Sequence, residues 1–160
     1  MSAATTDYQT PRSWLVLATF LLVVIGVGAL IGTQSVPGVW YEALNTPPFN
    51  PPNWIFGPVW FALYVLIAIA GWRSFIDNPT SISSKLWYGQ MALNWAWSPV
   101  WFIGQMIWPA FAIIVLMWLA ILSFILVNWN RDRLAASLFL PYLAWVSFAS
   151  LLNLSIGILN

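Results

Sequence analysis

The chain alternates long apolar runs with short polar or Pro-rich interruptions. Crossing a bilayer as a helix takes about 20 mostly apolar residues, and five such stretches fall at 13–32, 54–75, 86–104, 108–128 and 134–157. None has the period-two alternation of outer-membrane strands, so helices are the expected way to satisfy the backbone in lipid. The pattern predicts an all-α integral membrane protein, a five-transmembrane-helix bundle forming a single membrane domain over 1–160. The apolar run from Trp14 to Ile31 exceeds the roughly 7–15 residues of a signal-peptide core and is read as a retained span.

Composition strengthens this reading. Of 160 residues, 61% are hydrophobic and 6% charged, against about 25% charged in a soluble domain, so lipid must be the solvent. A net charge of +1 without a basic tract argues against a nucleic-acid partner. With neither Cys nor His in the chain, the usual metal and haem ligands and the usual general base are missing. No metal site and no required cofactor are expected. All five basic residues, Arg12, Arg73, Lys85, Arg131 and Arg133, fall on one side of the predicted topology. The positive-inside rule then places the N-terminus in the cytoplasm, with the 33–53 loop and the C-terminus opposite. Glu42 and Asp77 lie in loops and Asp132 at the basic edge, which leaves no intramembrane charge for a proton-driven pump. Phosphate loops, zinc spacings and nucleophile–base pairs are absent. No catalytic residue is assigned, and the expected role is not enzymatic.

The 33–53 connection is long for a structureless link. It carries Trp40-Tyr41-Glu42 and then Pro47, Pro48, Pro51 and Pro52 up to Asn53-Trp54, too aromatic for a disordered linker and too Pro-rich for a helix. It reads as an ordered lid over the mouth of the bundle, against the alternative that its aromatics are interfacial belt residues. Of the thirteen tryptophans, Trp14, Trp54, Trp72, Trp87, Trp108 and Trp129 sit near span ends, where belt placement is expected. Trp60, Trp95, Trp97, Trp101, Trp118 and Trp145 lie deeper, where an indole N–H needs a partner. Pro99 lies inside the third span and predicts a kink.

Polar residues recur on helical stripes inside the spans. Gln90, Asn94, Trp97 and Trp101 follow at steps of four, three and four; Tyr142, Trp145, Ala149 and Asn153 at three, four and four; Asn53, Trp60 and Tyr64 at seven and four. Each stripe shares one helix face. Three faces mixing rings with hydrogen-bonding groups describe one pocket wall for a flat hydrophobic ligand with a few polar groups. The alternative is interhelical glue, worth about 0.6 kcal/mol per amide. Gly28 and Gly32 form a GxxxG pair, which suits either a homodimer face or close packing within one bundle.

Several of these residues together carry a family resemblance. Trp40-Tyr41 followed by Pro47 and Pro51-Pro52, Trp60 with Leu63-Tyr64, Gln90-x-x-Leu93-Asn94-x-x-Trp97-Ser98-Pro99, and Pro141-Tyr142-x-x-Trp145 with Leu152-Asn153 resemble the translocator protein family, also called tryptophan-rich sensory proteins or peripheral-type benzodiazepine receptors. The resemblance runs from span one to the C-terminus. It implies a five-helix bundle and a ligand pocket capped by the first loop, binding tetrapyrroles such as protoporphyrin IX or haem-like rings, with lipids, sterols and synthetic ligands as further classes. By resemblance the pocket would use Trp40, Tyr41, Trp60, Tyr64, Gln90, Asn94, Trp97, Tyr142, Trp145 and Ala149. It also implies a light-dependent porphyrin breakdown through Trp60 and Trp145. Two features depart from the family pattern. The C-terminal Asn153-Leu-Ser-Ile-Gly-Ile-Leu-Asn160 lacks the Tyr and Lys or Arg of the sterol motif, and Lys85 stands four before Gly89, where some relatives carry a small residue. The expected mechanism is a macrocycle passing beneath the 33–53 loop to lie against Trp60 and Trp145, its polar edge met by Gln90, Asn94 and Tyr142. A carrier moving such ligands and a ligand-free scaffold are the rival roles.

Overall fold

A computed structural model describes residues 8–160, and among them every regular element is helical. Helix α1 spans Pro11–Gln34. A short α2, Val39–Glu42, lies inside the first loop. After one 3₁₀ turn at Asn53–Ile55 comes α3, Phe56–Asp77. Then follow α4, Ile82–Ser98, α5, Ile107–Asn128, α6, Arg133–Leu138, and α7, Leu140–Leu159.

Side-chain caps set several starts. The Thr10 hydroxyl accepts from Ser13 N–H at 3.1 Å, Ser81 from Ser84 N–H at 3.1 Å and Asp132 from Ala135 N–H at 3.2 Å, each satisfying one of the orphan donors of a first turn. The Ser81 cap explains why α4 begins four residues before the expected 86: Ser83, Ser84 and Lys85 interrupt the apolar run but sit inside the helix. Pro99 cannot donate to the ladder, and α4 passes there into a π turn over Pro99–Ile103, closed by Gly104 N–H to the Pro99 carbonyl at 2.8 Å. The last predicted span divides at Phe139, just before Pro141 at the start of α7.

Among the described residues, four stretches are long and apolar enough to cross a membrane: Pro11–Gln34, Asn53–Asp77, Ile107–Asn128 and Arg133–Leu159. Helix α4 is shorter and carries Ser83, Ser84, Gln90 and Asn94, all buried, so its polar groups face neighbouring helices. The main packing pairs are α4 with α5, α1 with α3, and α5 with α7. The largest core cluster includes Ile67, Ile114, Met117, Ile121 and Val146, with Phe124 stacked on Phe139 at 4.1 Å between centroids. A second cluster, Tyr41, Trp101, Ala110, Leu152 and Ile156, packs α2 against the π turn, the start of α5 and the end of α7.

The two ends differ in chemistry. At one, Arg73 Nε lies 2.7 Å from Asp132 Oδ2 and Lys85, Arg131 and Arg133 are exposed. At the other, the first loop meets the end of α7: Asn45 N–H donates to Asn160 Oδ1 at 2.9 Å and Asn160 Nδ2 donates back to the Asn45 carbonyl at 3.0 Å.

Two belt assignments need correction. Trp72 and Trp87 are buried rather than interfacial. The Trp72 indole donates to the Ser13 carbonyl at 2.9 Å and Trp87 to the Ile67 carbonyl at 2.8 Å. Proximity to a span end does not separate a belt indole from one that ties two helices together. Trp14, Trp54, Trp108 and Trp129 are exposed.

Candidate functional site: an aromatic cavity under the first loop

Toward the loop end α1, α3, α4, α5 and α7 enclose a cavity of about 400 Å³, within the range of small-molecule sites. The rings of Trp60, Trp97, Trp101 and Trp145 share its wall, and no charged side chain lines it. Trp97 and Trp101 stand stacked at 5.8 Å and 11°, because the four-residue step puts both on one face of α4 and its π turn.

Of the ten residues proposed from sequence, Tyr41, Trp60, Tyr64, Asn94, Trp97, Trp145 and Ala149 line the cavity. Trp40 stands one layer back, with its ring edge-to-face on Trp101 at 5.8 Å. Gln90 and Tyr142 do not line it. Both are fully buried behind the wall, joined to it through a chain of hydrogen bonds. Tyr64 donates to Asn94 Oδ1 at 3.1 Å, Asn94 Nδ2 donates to the Tyr142 hydroxyl at 2.9 Å, and Tyr142 donates to Gln90 Oε1 at 3.0 Å, with Met117 Sδ at 3.2 Å beside it. In this arrangement Gln90 and Tyr142 support the wall from behind, through Asn94 and Tyr64. The stripe rule gave their face and left their depth open.

Trp97 and Asn153 of the wall are committed too. Trp97 Nε1 donates to Asn153 Oδ1 at 3.3 Å, and Asn153 Nδ2 donates to the Ile107 carbonyl at 3.3 Å. Two groups of lining residues differ: among the described residues, Trp145 Nε1 and Ser35 Oγ are buried without a hydrogen-bond partner, as is Trp95 Nε1 of α4, which does not line the cavity. Such groups are rare in native structures and call for an explanation.

The loop closes one end. Tyr41 is buried and donates to Asn50 Oδ1 at 3.3 Å; burial raises its phenol above the ordinary value. Phe49 meets Phe148 of α7 at 6.3 Å. Sequence reasoning missed Ser35, Phe56, Phe61, Ile114 and Met117, which also line the cavity. For Ser35 a signal existed: Gly28, Gly32 and Ser35, at steps of four and three, form a stripe of small residues. Gly28 lies against the Tyr64 ring, where a Cβ would run into it, so that glycine serves close packing within the bundle. Ile114 and Met117 are ordinary apolar residues of an apolar helix and carried no signal.

Comparison with known proteins decides the family. The model of the TspO/MBR family matches residues 15–159. The chain belongs to the TspO/MBR family. It is 33% identical over 147 residues to the tryptophan-rich sensory protein of Cereibacter sphaeroides, covering 92% of each chain. It is 34% identical over 149 residues to the translocator protein of Ovis aries, covering 88% of this chain and 87% of that one, and 31% identical over 150 residues to protein CrtK of Rhodobacter capsulatus, covering 91% and 94%. None of these names is that of an enzyme. As a TspO/MBR member with four long apolar helices, the chain is an integral membrane protein.

Proposed function

We propose that this protein is a membrane receptor or translocator that binds tetrapyrroles, and other flat apolar ligands, in the cavity under the first loop. The observation that carries the reading is the wall itself: four indole rings around about 400 Å³, with no charge among the lining residues. Ring stacking contributes roughly 0.5–1.5 kcal/mol per pair beyond area burial, so several rings support micromolar affinity. In this reading α4 with its π turn crosses as a fifth helix, the basic end faces the cytoplasm, and the loop and the end of α7 lie on the other side. Trp145 Nε1 is then one wall donor free for a ligand acceptor, reached by a turn of the indole, beside the Trp60 and Trp101 indoles of the same wall. Porphyrin carboxylates find no basic partner in the wall and point toward the loop end.

Quenching of tryptophan fluorescence by protoporphyrin IX in the dark tests this in detergent. Saturable micromolar quenching that weakens in Trp60→Phe/Trp145→Phe is expected, and binding that is absent or indifferent to both changes defeats the reading. The chain has no His or Cys to ligate iron, Met117 Sδ already lies beside the Tyr142 hydroxyl, and the hydroxyls of Tyr41 and Tyr64 are bonded to Asn50 and Asn94. Haem and the iron-free ring should therefore bind alike. A light-dependent loss of porphyrin is a second reading, favoured by Trp60 and Trp145 sharing one wall. It predicts that illumination bleaches bound porphyrin in the native chain and not in either Phe variant.

A further inference from the structure

The cavity has three boundaries that a ligand could cross, and they are built differently. The loop is tied down. Asn45 and Asn160 exchange two hydrogen bonds, Tyr41 is bonded to Asn50, and Trp40 and Phe49 pack on Trp101 and Phe148. The seam between α3 and α7 carries an apolar furrow on its outer side, including Ala62, Leu66, Ala144 and Phe148, but Trp145 lines both the furrow and the cavity and stands as the partition between them.

The seam between α1 and α3 is different. The two helices are held together along the half toward the basic end: Trp72 donates to Ser13, Phe20 packs on Phe75 at 5.6 Å, and Gly28 lies against Tyr64. Beyond Gly28, toward the loop, nothing comparable joins them among the described residues. There Ala29 and Gly32 of α1, and Gly57 and Phe61 of α3, each line the cavity and are each exposed. A Cβ added at Gly32 or at Gly57 would meet no atom within 4 Å. Three of these four are small, and among the described residues no hydrogen bond or ring contact crosses between the two edges, which leaves a gap in the bracing of the wall. Both helices are long and apolar enough to cross a membrane, so the gap faces lipid.

We propose that this gap is a lateral portal: an apolar planar ligand dissolved in the bilayer reaches the cavity between α1 and α3 at the level of Gly32 and Gly57, and does not pass beneath the loop. The proposal rests on the cavity being a ligand site and adds the route and the ligand class, a membrane-dissolved one. Passage through the gap breaks none of the hydrogen bonds that hold the loop, which gives this route the lower barrier.

Stopped-flow quenching by protoporphyrin IX in liposomes tests it with Gly57→Leu, Gly32→Leu and their combination as plugs. Gly57→Ala serves as a smaller plug, Ala92→Leu on the exposed face of α4 as a control, and Asn160→Ala to release the loop. The plugs should slow both association and dissociation, by about tenfold for the double change, because a blocked path raises the barrier in both directions. Gly57→Ala should fall between. Ala92→Leu and Asn160→Ala should leave both rates unchanged. Plugs that leave the rates alone, plugs that change Kd without slowing both directions, or an Asn160→Ala chain that loads faster would overturn the portal. Saturable dark binding at equilibrium is measured alongside on the native chain. Its absence would count against the ligand reading itself and would be seen before any plug is compared.

Discussion

Toward the basic end of the bundle the buried polar groups of α3, α4 and α5 close on one another. Ser74 and Ser83 share a hydrogen bond at 2.8 Å, Ser83 donates to Asn128 Oδ1 at 2.9 Å, Asn128 Nδ2 to the Phe124 carbonyl at 2.8 Å, and Ser84 to the Asn78 carbonyl at 2.8 Å. Toward the loop end the helices part around a cavity, and Trp145 Nε1 and Ser35 Oγ are left without partners. Inside the bundle both ends are rich in aromatic and small residues, so the makeup of the interior does not distinguish them. The difference lies in satisfaction: where lipid offers no hydrogen bond, paired groups build a framework toward the basic end, and two of the three buried groups without a partner among the described residues stand beside the void.

Glycine makes the contrast sharpest. At Gly71 a Cβ would run into the Trp87 indole, which is itself held by the Ile67 carbonyl, whereas at Gly57 it meets open space. Overpacking a well-filled site typically costs 1–3 kcal/mol, and displacing the Trp87 bond adds to it, so Gly71→Leu should lose about 3 kcal/mol of stability. Gly57→Leu should stay within about 0.5 kcal/mol, as an exposed change does. Thermal unfolding in detergent, followed by near-UV circular dichroism, reads both; equal losses would erase the distinction between the ends.

Next in size is the network behind the wall. Tyr142→Phe removes the hydroxyl that joins Asn94 to Gln90 and leaves their amides short of partners, for a loss of about 2 kcal/mol. Since Tyr142 does not line the cavity, porphyrin affinity should change by less than about threefold. A large loss of affinity at unchanged stability would restore Tyr142 to the ligand's edge. At the basic end Asp132→Asn keeps the α6 cap but removes the charge facing Arg73. The pair is partly exposed, so the expected loss is about 1 kcal/mol, and it should shrink at high salt.

Much of this was legible in the sequence because lipid enforces simple rules. Apolar length located the helices, and the amides of Gln90, Asn94 and Asn153 had to face inward, which brought Trp60, Trp97 and Trp145 to one wall. Depth was not legible. A helical stripe gives a direction, while Asn94 at the wall and Tyr142 behind it differ only in how far neighbouring helices stand off. The same limit misplaced Trp72 and Trp87, whose partners, the backbone carbonyls of Ser13 and Ile67, carry no sequence signature. Gly28 and Gly32 read as one motif yet do two things, one under the Tyr64 ring and one at the open edge of the cavity.

The smallest expected effect on stability is the most discriminating. Trp145→Phe deletes a buried N–H without a partner, relieving a desolvation penalty of about 1–3 kcal/mol, but it also removes ring volume from between Phe56 and Phe148, which costs a similar amount. The two should nearly cancel, leaving stability within about 0.5 kcal/mol. Trp87→Phe loses volume and a satisfied bond together and should fall by more than 1 kcal/mol. Against ligand the order inverts: Trp145 lines the cavity and Trp87 does not, so Trp145→Phe should weaken protoporphyrin IX binding while Trp87→Phe, in the fraction that remains folded, should not. Unfolding and dark quenching measured on both variants would show two indoles of one bundle with opposite accounts. One holds helices together, and the other is kept for what lies between them.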